Sequence, residues 1–192
     1  MSRSGQNSKT RLTREDWANA ALRAIAREGL RAVAVEPMAK RLGVTKGSFY
    51  WHFKTRADLI QAAVELWEEL GDRAIAKHLE SFQEPRARLR ALFMAAFESK
   101  NAHALLHHLA SSQSSPIIQP VIQRVTMRRV ASLTEMYAQC GLSEDQAKHR
   151  ALLAYATYVG MFQIRATSPE TTPTAQSTVD FTQHIVDTLV PK

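Results

Sequence analysis

The sequence predicts an all-α protein of about nine helices, and three observations carry that prediction. Apolar residues recur at helical spacing through most of the 192 positions. No segment alternates apolar and polar residues over the length of a half-buried strand. Caps, prolines and glycines divide the periodic runs into helix-sized pieces.

The first helix is announced by Thr13 as N-cap, with Glu15 and Asp16 placed to favour a helix N-terminus. It buries Trp17, Ala21, Ala24 and Ile25 and stops at Gly29. A short helix over 35–42 follows, with Pro37 tolerated in its first turn and Met38, Ala39 and Leu42 on its apolar side. Gly43 and Val44 break it, and Thr45 is positioned to cap a second short helix through residue 53. Thr55 begins a long helix with Leu59, Ala62, Ala63, Leu66, Trp67 and Leu70 on one face.

Pro85 opens the next helix, where Leu89, Leu92, Phe93, Ala96 and Phe97 repeat the spacing. A shorter segment over 102–110 and a serine-rich loop precede a helix that starts at Pro116 or Pro120, reaches Cys140 and ends at Gly141. Ser143 caps a long apolar helix to about residue 164. The Thr- and Pro-rich stretch 167–178 reads as loop, and a last amphipathic helix carries Phe181, Ile185, Val186 and Leu189.

Composition narrows the class. An apolar share of 45% and a charged share of 22% belong to a globular chain with a real core. No run of about 18 uncharged apolar residues predicts a membrane span. The polar, basic start lacks a secretory h-region, and the single cysteine, Cys140, leaves nothing to pair in an internal disulfide. A cytoplasmic protein is expected. The net charge of +7 is uneven: residues 1–56 carry +8 and residues 57–192 carry −1. That asymmetry points to a polyanion-binding segment on a nearly neutral body. Three parts are expected: a flexible basic tail over 1–12, a basic helical domain over 13–56, and a larger, nearly neutral helical domain over 57–192.

The chemistry concentrates between residues 35 and 56. Two short helices joined at a glycine, in a basic segment, have the form of a helix-turn-helix, whose second helix enters the major groove. Ala39 is small enough for close helix crossing, and Leu42, Val44, Phe49 and Phe53 belong to the core. Thr45, Lys46, Gly47 and Ser48 occupy the turn that can reach base edges. Lys46 can donate to guanine O6 and N7, the hydroxyls can touch bases or phosphates, and Gly47 lets the backbone approach DNA. Phe49 and Phe53, four apart, take the buried face and leave Tyr50, Trp51 and His52 as an exposed aromatic run. Lys54, Thr55 and Arg56 add donors and a helix N-terminus for phosphate.

The run from Met38 to Ile60, with its Gly-Val-Thr turn and its Tyr-Trp-His-Phe-Lys sequence, resembles the DNA-binding signature of the TetR/AcrR family of bacterial transcriptional regulators. At motif level the resemblance covers residues 13–70; beyond them only length, helix count and helix order agree. It implies a homodimer on double-stranded operator DNA, with Thr45, Lys46, Ser48, Tyr50, Trp51 and His52 facing DNA and Lys54 or Arg56 meeting phosphate. This chain departs from the pattern at Val35 and Glu36, where several members place a hydroxyl or basic contact.

In the C-terminal part, Ala151, Tyr155, Tyr158 and Phe162 on one helix and Phe181, Ile185 and Leu189 on the last are expected to form a four-helix bundle across a two-fold axis. Trp67, Phe93, Phe97, Tyr137 and Met161 are the candidates to line a cavity for a small apolar or amphipathic ligand. Such a ligand is expected to release a repressor from its operator. His103 and His107 lie four apart and raise metal sensing as an alternative, but the HExxH carboxylate is absent. No nucleophile elbow, phosphate-binding glycine loop or paired-carboxylate motif supports an enzyme, and no cofactor is expected.

Overall fold

The computed structural model describes residues 12–98, 105, 108, 109, 112, 114–173 and 177–192. Eight α-helices are found among them: α1 (Arg14–Glu28), α2 (Val35–Arg41), α3 (Lys46–Tyr50), α4 (Arg56–Leu79), α5 (Pro85–Glu98), α6 (Ile118–Gln139), α7 (Glu144–Thr167) and α8 (Thr178–Leu189). Short 3₁₀ turns follow α1 at Leu30–Ala32 and α7 at Pro169–Thr171. The described residues contain no strand. The helix expected over 102–110 lies mostly outside them, although Leu105, His108 and Leu109 are helical.

Three helices begin at reciprocal capping boxes, each an orphan-donor problem solved within four residues. Thr13 Oγ1 accepts from the Asp16 N–H while Asp16 accepts from the Thr13 N–H. Thr55 with Asp58 and Ser143 with Gln146 repeat the arrangement. Thr45 differs from expectation: it precedes α3, but its hydroxyl makes no capping bond.

The buried side chains form two clusters. The first gathers Trp17, Ala21, Ala24 and Ile25 of α1, Met38 and Ala39 of α2, Phe49 of α3, and Leu59, Ile60, Ala63 and Val64 of α4. It also takes in Leu105, Leu109, Ile118, Val121 and Val125, so the N-terminal helices are covered in part by the later chain. The second cluster joins Leu79, Leu89, Phe93, Phe97, Leu133, Met136 and Tyr137 with Ala147, Ala151 and Ala154 of α7 and Ile185, Val186 and Leu189 of α8.

Helix α4 spans both clusters, and its burial differs from the one-face expectation. Leu70 is exposed, whereas Ile60, Val64 and Glu68 are buried. The reason is that α4 packs against α1, α5 and α6, so its early turns are covered on more than one side. Glu68 is tolerated there because two arginines of α6 neutralise it. Arg124 donates from Nε and Nη2 to the two carboxylate oxygens at 2.9 and 2.5 Å, and Arg128 Nη2 donates to Oε1 at 2.6 Å. Arg128 also pairs with Asp72, one turn further along α4. These bonds hold the Glu68 carboxyl below its ordinary range, with the Arg124 hydrogen bond as the largest cause.

The last helix is fastened by its carbonyls. Tyr137 Oη, buried between helices, donates to Leu189 O at 3.0 Å; Arg150 donates to Thr188 O, and Arg86 to Lys192 O. Burial raises the Tyr137 hydroxyl pKa well above the usual range, keeping it a neutral donor.

A Glu68→Gln variant is expected to lose about 1–3 kcal/mol of stability at pH 7, because a buried charge-assisted bond is removed beside two arginines. The Glu68 pKa is depressed on folding, so its contribution is present above the unfolded-state value and fades as pH falls through the folded one. Chemical denaturation of both proteins should therefore show the difference shrinking in acid.

Candidate nucleic-acid interface

Helices α2 and α3 cross over the turn Leu42–Gly43, where the Gly43 φ of 69° is a left-handed value that a side chain would strain. The Val44 N–H donates to Ala39 O at 3.0 Å and closes the turn against α2. Within α3 only Phe49 is buried; its ring meets Trp17 edge-on at 5.5 Å and stacks with Phe53 at 5.6 Å. With that one face consumed, the remaining side chains of α3 project outward.

Lys46 and Gly47 stand at the exposed start of α3, with Thr45 exposed just before them and Ser48 half-buried. Tyr50 is 55% exposed and Trp51 77%, a large apolar area for a helix end in water. His52 is half-buried beside Phe53. The structure thus brings Thr45, Lys46, Gly47, Ser48, Tyr50 and Trp51 to one end of the molecule. The Lys46 ammonium donates to Glu36 Oε1 of α2 at 2.7 Å, which raises the lysine pKa and lowers that of Glu36.

Gly47 sits in ordinary helical backbone, and a Cβ added there would meet only Thr45 Oγ1, at 3.6 Å. The fold therefore does not require glycine at this position, although glycine costs a helix about 1 kcal/mol relative to alanine.

Two expected phosphate donors are engaged within the fold. Arg56 donates from Nε to Val33 O at 2.5 Å and from Nη2 to Leu30 O at 2.6 Å, so its guanidinium satisfies the loop after α1. These two bonds hold the Arg56 guanidinium against the loop between α1 and α2. Just before α4, Asp58 accepts the Lys54 and Thr55 N–H groups at 3.1 and 2.8 Å. The Lys54 ammonium is left exposed near the same corner.

The residues expected to line a ligand cavity are not gathered in one place. Trp67 packs on the first cluster, whereas Phe93, Phe97, Tyr137 and Met161 belong to the second. Tyr137 is fully buried with its hydroxyl committed to α8. Beside it, an aromatic chain runs through Phe97, Tyr158 and Phe162, with centroids 6.0 and 4.3 Å apart. His103 and His107 lie outside the described residues, and among those described no group of three His, Cys, Asp or Glu side chains could hold a metal ion.

The residues expected at the dimer surface differ in burial. Ala151 and Phe162 of α7 and Ile185 and Leu189 of α8 are buried within the chain, while Tyr155, Tyr158 and Phe181 are half-buried against the second cluster. Helix α7 is apolar on two sides, and the side left outward carries Leu152, Leu153 and Ile164.

A three-helix unit ending in a short, solvent-facing helix after a glycine turn defines a helix-turn-helix protein. Residues 18–63 match the family described as "Bacterial regulatory proteins, tetR family". The chain is 30% identical over 145 residues to the HTH-type transcriptional regulator BetI of Yersinia pestis, covering 71% of this chain and 72% of that one. It is 31% identical over 104 residues to TtgR of Pseudomonas putida, a match spanning half of each chain. In fold it is similar to a transcriptional regulator of Rhodococcus (TM-score 0.74, 21% identity, 93% of this chain and 94% of that one). A second similar structure is a regulator of Saccharomonospora viridis solved in complex with choline (TM-score 0.76, 18% identity, 91% and 93%). The chain belongs to the TetR family.

Gly47→Ala is expected to raise the melting temperature slightly and yet weaken operator binding at least about tenfold, since the added methyl favours the helix and obstructs close approach. Unchanged affinity would remove the backbone-approach reading. Lys54→Ala should weaken all duplex sequences alike and reduce the salt slope by about 1, as measured by binding titrations at several salt concentrations.

Proposed function

We propose that this protein is a sequence-specific DNA-binding regulator that acts as a homodimer, represses transcription from a near-palindromic operator, and is released by a small organic ligand. The observation that carries the reading is the outward end of α3, where Lys46, Gly47, Tyr50 and Trp51 are exposed on a helix anchored by Phe49 alone. Family membership and the +8 charge of residues 1–56 support it. The regulatory class is proposed over an enzyme, and the cytoplasm, where the operator is, is the proposed location. No described helix is long and apolar enough to cross a membrane.

The proposed dimer surface is the outward side of α7. Leu152 and Leu153 are 60% and 55% exposed, and Ala156, Gly160 and Ile164 continue the same side at helical spacing. A Cβ added to Gly160 would meet nothing within 4 Å, so a second helix has room to approach. Two copies of this side pack about a two-fold axis with small residues facing leucines.

The proposed ligand contacts centre on the aromatic chain of Phe97, Tyr158 and Phe162 rather than on all five residues expected from sequence. Aromatic faces suit an apolar or an organic cationic ligand, and choline in a structural neighbour makes it a member of the test panel. Coupling runs through α4, which belongs to both clusters.

Band shifts of the full chain on its own upstream DNA, repeated with a small-molecule panel, test the reading. A specific shift abolished by one compound supports it, and equal affinity for random DNA at moderate salt refutes it. Leu153→Glu is expected to give helical monomers with greatly weakened operator binding. Dimers persisting in sedimentation experiments would move the interface off α7.

A further inference from the structure

Glu36 is the one acidic residue between positions 35 and 56, a segment that otherwise carries Lys40, Arg41, Lys46, Lys54 and Arg56. It stands in the first turn of α2, and its carboxylate lies at the start of α3, 2.7 Å from the Lys46 ammonium. Facing a polyanion, a carboxylate there is repulsive unless it meets a donor. The Glu36–Lys46 pair is also open to solvent, with side-chain exposures of 73% and 52%, and pairs of that kind add little to stability. An acid in the first turn of α2 suits that helix N-terminus, but this leaves unexplained why the carboxylate is joined to Lys46 at the start of α3.

Base edges do account for it. A G·C pair presents in the major groove the acceptors N7 and O6 of guanine and, beside them, the N4 amino donor of cytosine. The O6 and N4 atoms are hydrogen-bonded to each other and so lie about 2.9 Å apart. An ammonium donor and a carboxylate acceptor 2.7 Å apart match that donor and acceptor order in spacing and in polarity. An A·T pair puts an amino donor where guanine has O6, opposite the ammonium.

Building on the helix-turn-helix reading, we propose that Glu36 and Lys46 together read one G·C pair in each half-site. Lys46 donates to guanine O6 and N7, and Glu36 accepts from cytosine N4. Glu36 is thereby a specificity-determining residue, and the two side chains act as one reading element with no net charge.

The test selects operators from random duplexes with the full chain and then measures affinity after changing each base pair singly. The wild type should show one G·C position per half-site at which replacement costs about tenfold. Glu36→Ala and Lys46→Ala should each lose that discrimination while other positions keep theirs, and the double variant should lose little more. Glu36→Gln should shift the same position toward A·T, because an amide can both donate to and accept from adenine. Melting temperatures should stay near wild type, since the pair is exposed. Unchanged preference in Glu36→Ala would overturn the proposal. So would tighter binding to every duplex with a steeper salt slope, which would make Glu36 only repulsive. A wild type without any sequence preference would overturn the underlying DNA-binding reading, and that result is separable because it involves no variant.

Discussion

A five-residue helix has no stability of its own, since nucleation alone costs more than so few hydrogen bonds return. Helix α3 exists because Phe49 is buried against Trp17 and Phe53. That single anchor fixes the rotation of the helix about its axis, and the rotation decides that Lys46, Gly47 and Tyr50 face outward. Trp17 is itself wholly buried in the cluster that α1, α2, α3 and α4 share, so the geometry of the outward face is set by that core. Everything the protein can recognise with this end depends on that aromatic contact.

The helices and their caps were legible because they rest on short-range chemistry. Thr13, Thr55 and Ser143 meet their reciprocal partners three residues later, within the span that a sequence pattern can display. The helix-turn-helix was legible for the same reason: Gly43 and the Phe49–Phe53 spacing are local. What stayed hidden depends on elements that meet only in three dimensions. Arg56 reaches carbonyls 23 and 26 residues back, and Lys46 finds Glu36 across the turn. Helix α7 shows the limit most plainly. Both of its sides are apolar, and the choice between them is made by α5, α6 and α8, not by its own periodicity.

The two buried clusters do not coincide with a division of the chain near residue 56. Leu105, Leu109, Ile118, Val121 and Val125 close the core that supports α3, and α4 passes from that core into the second. Removal of the C-terminal part would uncover apolar surface on the first cluster, which costs roughly 25 cal/mol for each Å² exposed. The recognition end and the aromatic chain of Phe97, Tyr158 and Phe162 are therefore parts of one packed body, and a change in the packing of α6 reaches α4 directly through Glu68.

The bonds from Arg56 to the carbonyls of Leu30 and Val33 tie the first turn of α4 to the loop between α1 and α2. They fix that loop, and with it the approach to α2, to the first turn of α4. Glu68, clamped by Arg124 and Arg128, lies twelve residues from Arg56, about 18 Å along the helix axis. With the clamp as a fulcrum, a tilt of roughly 10° carries that first turn sideways by about 3 Å, close to the 3.4 Å rise between neighbouring base pairs. Fixing α4 at this clamp therefore keeps its first turn in place to within the spacing of one base-pair step.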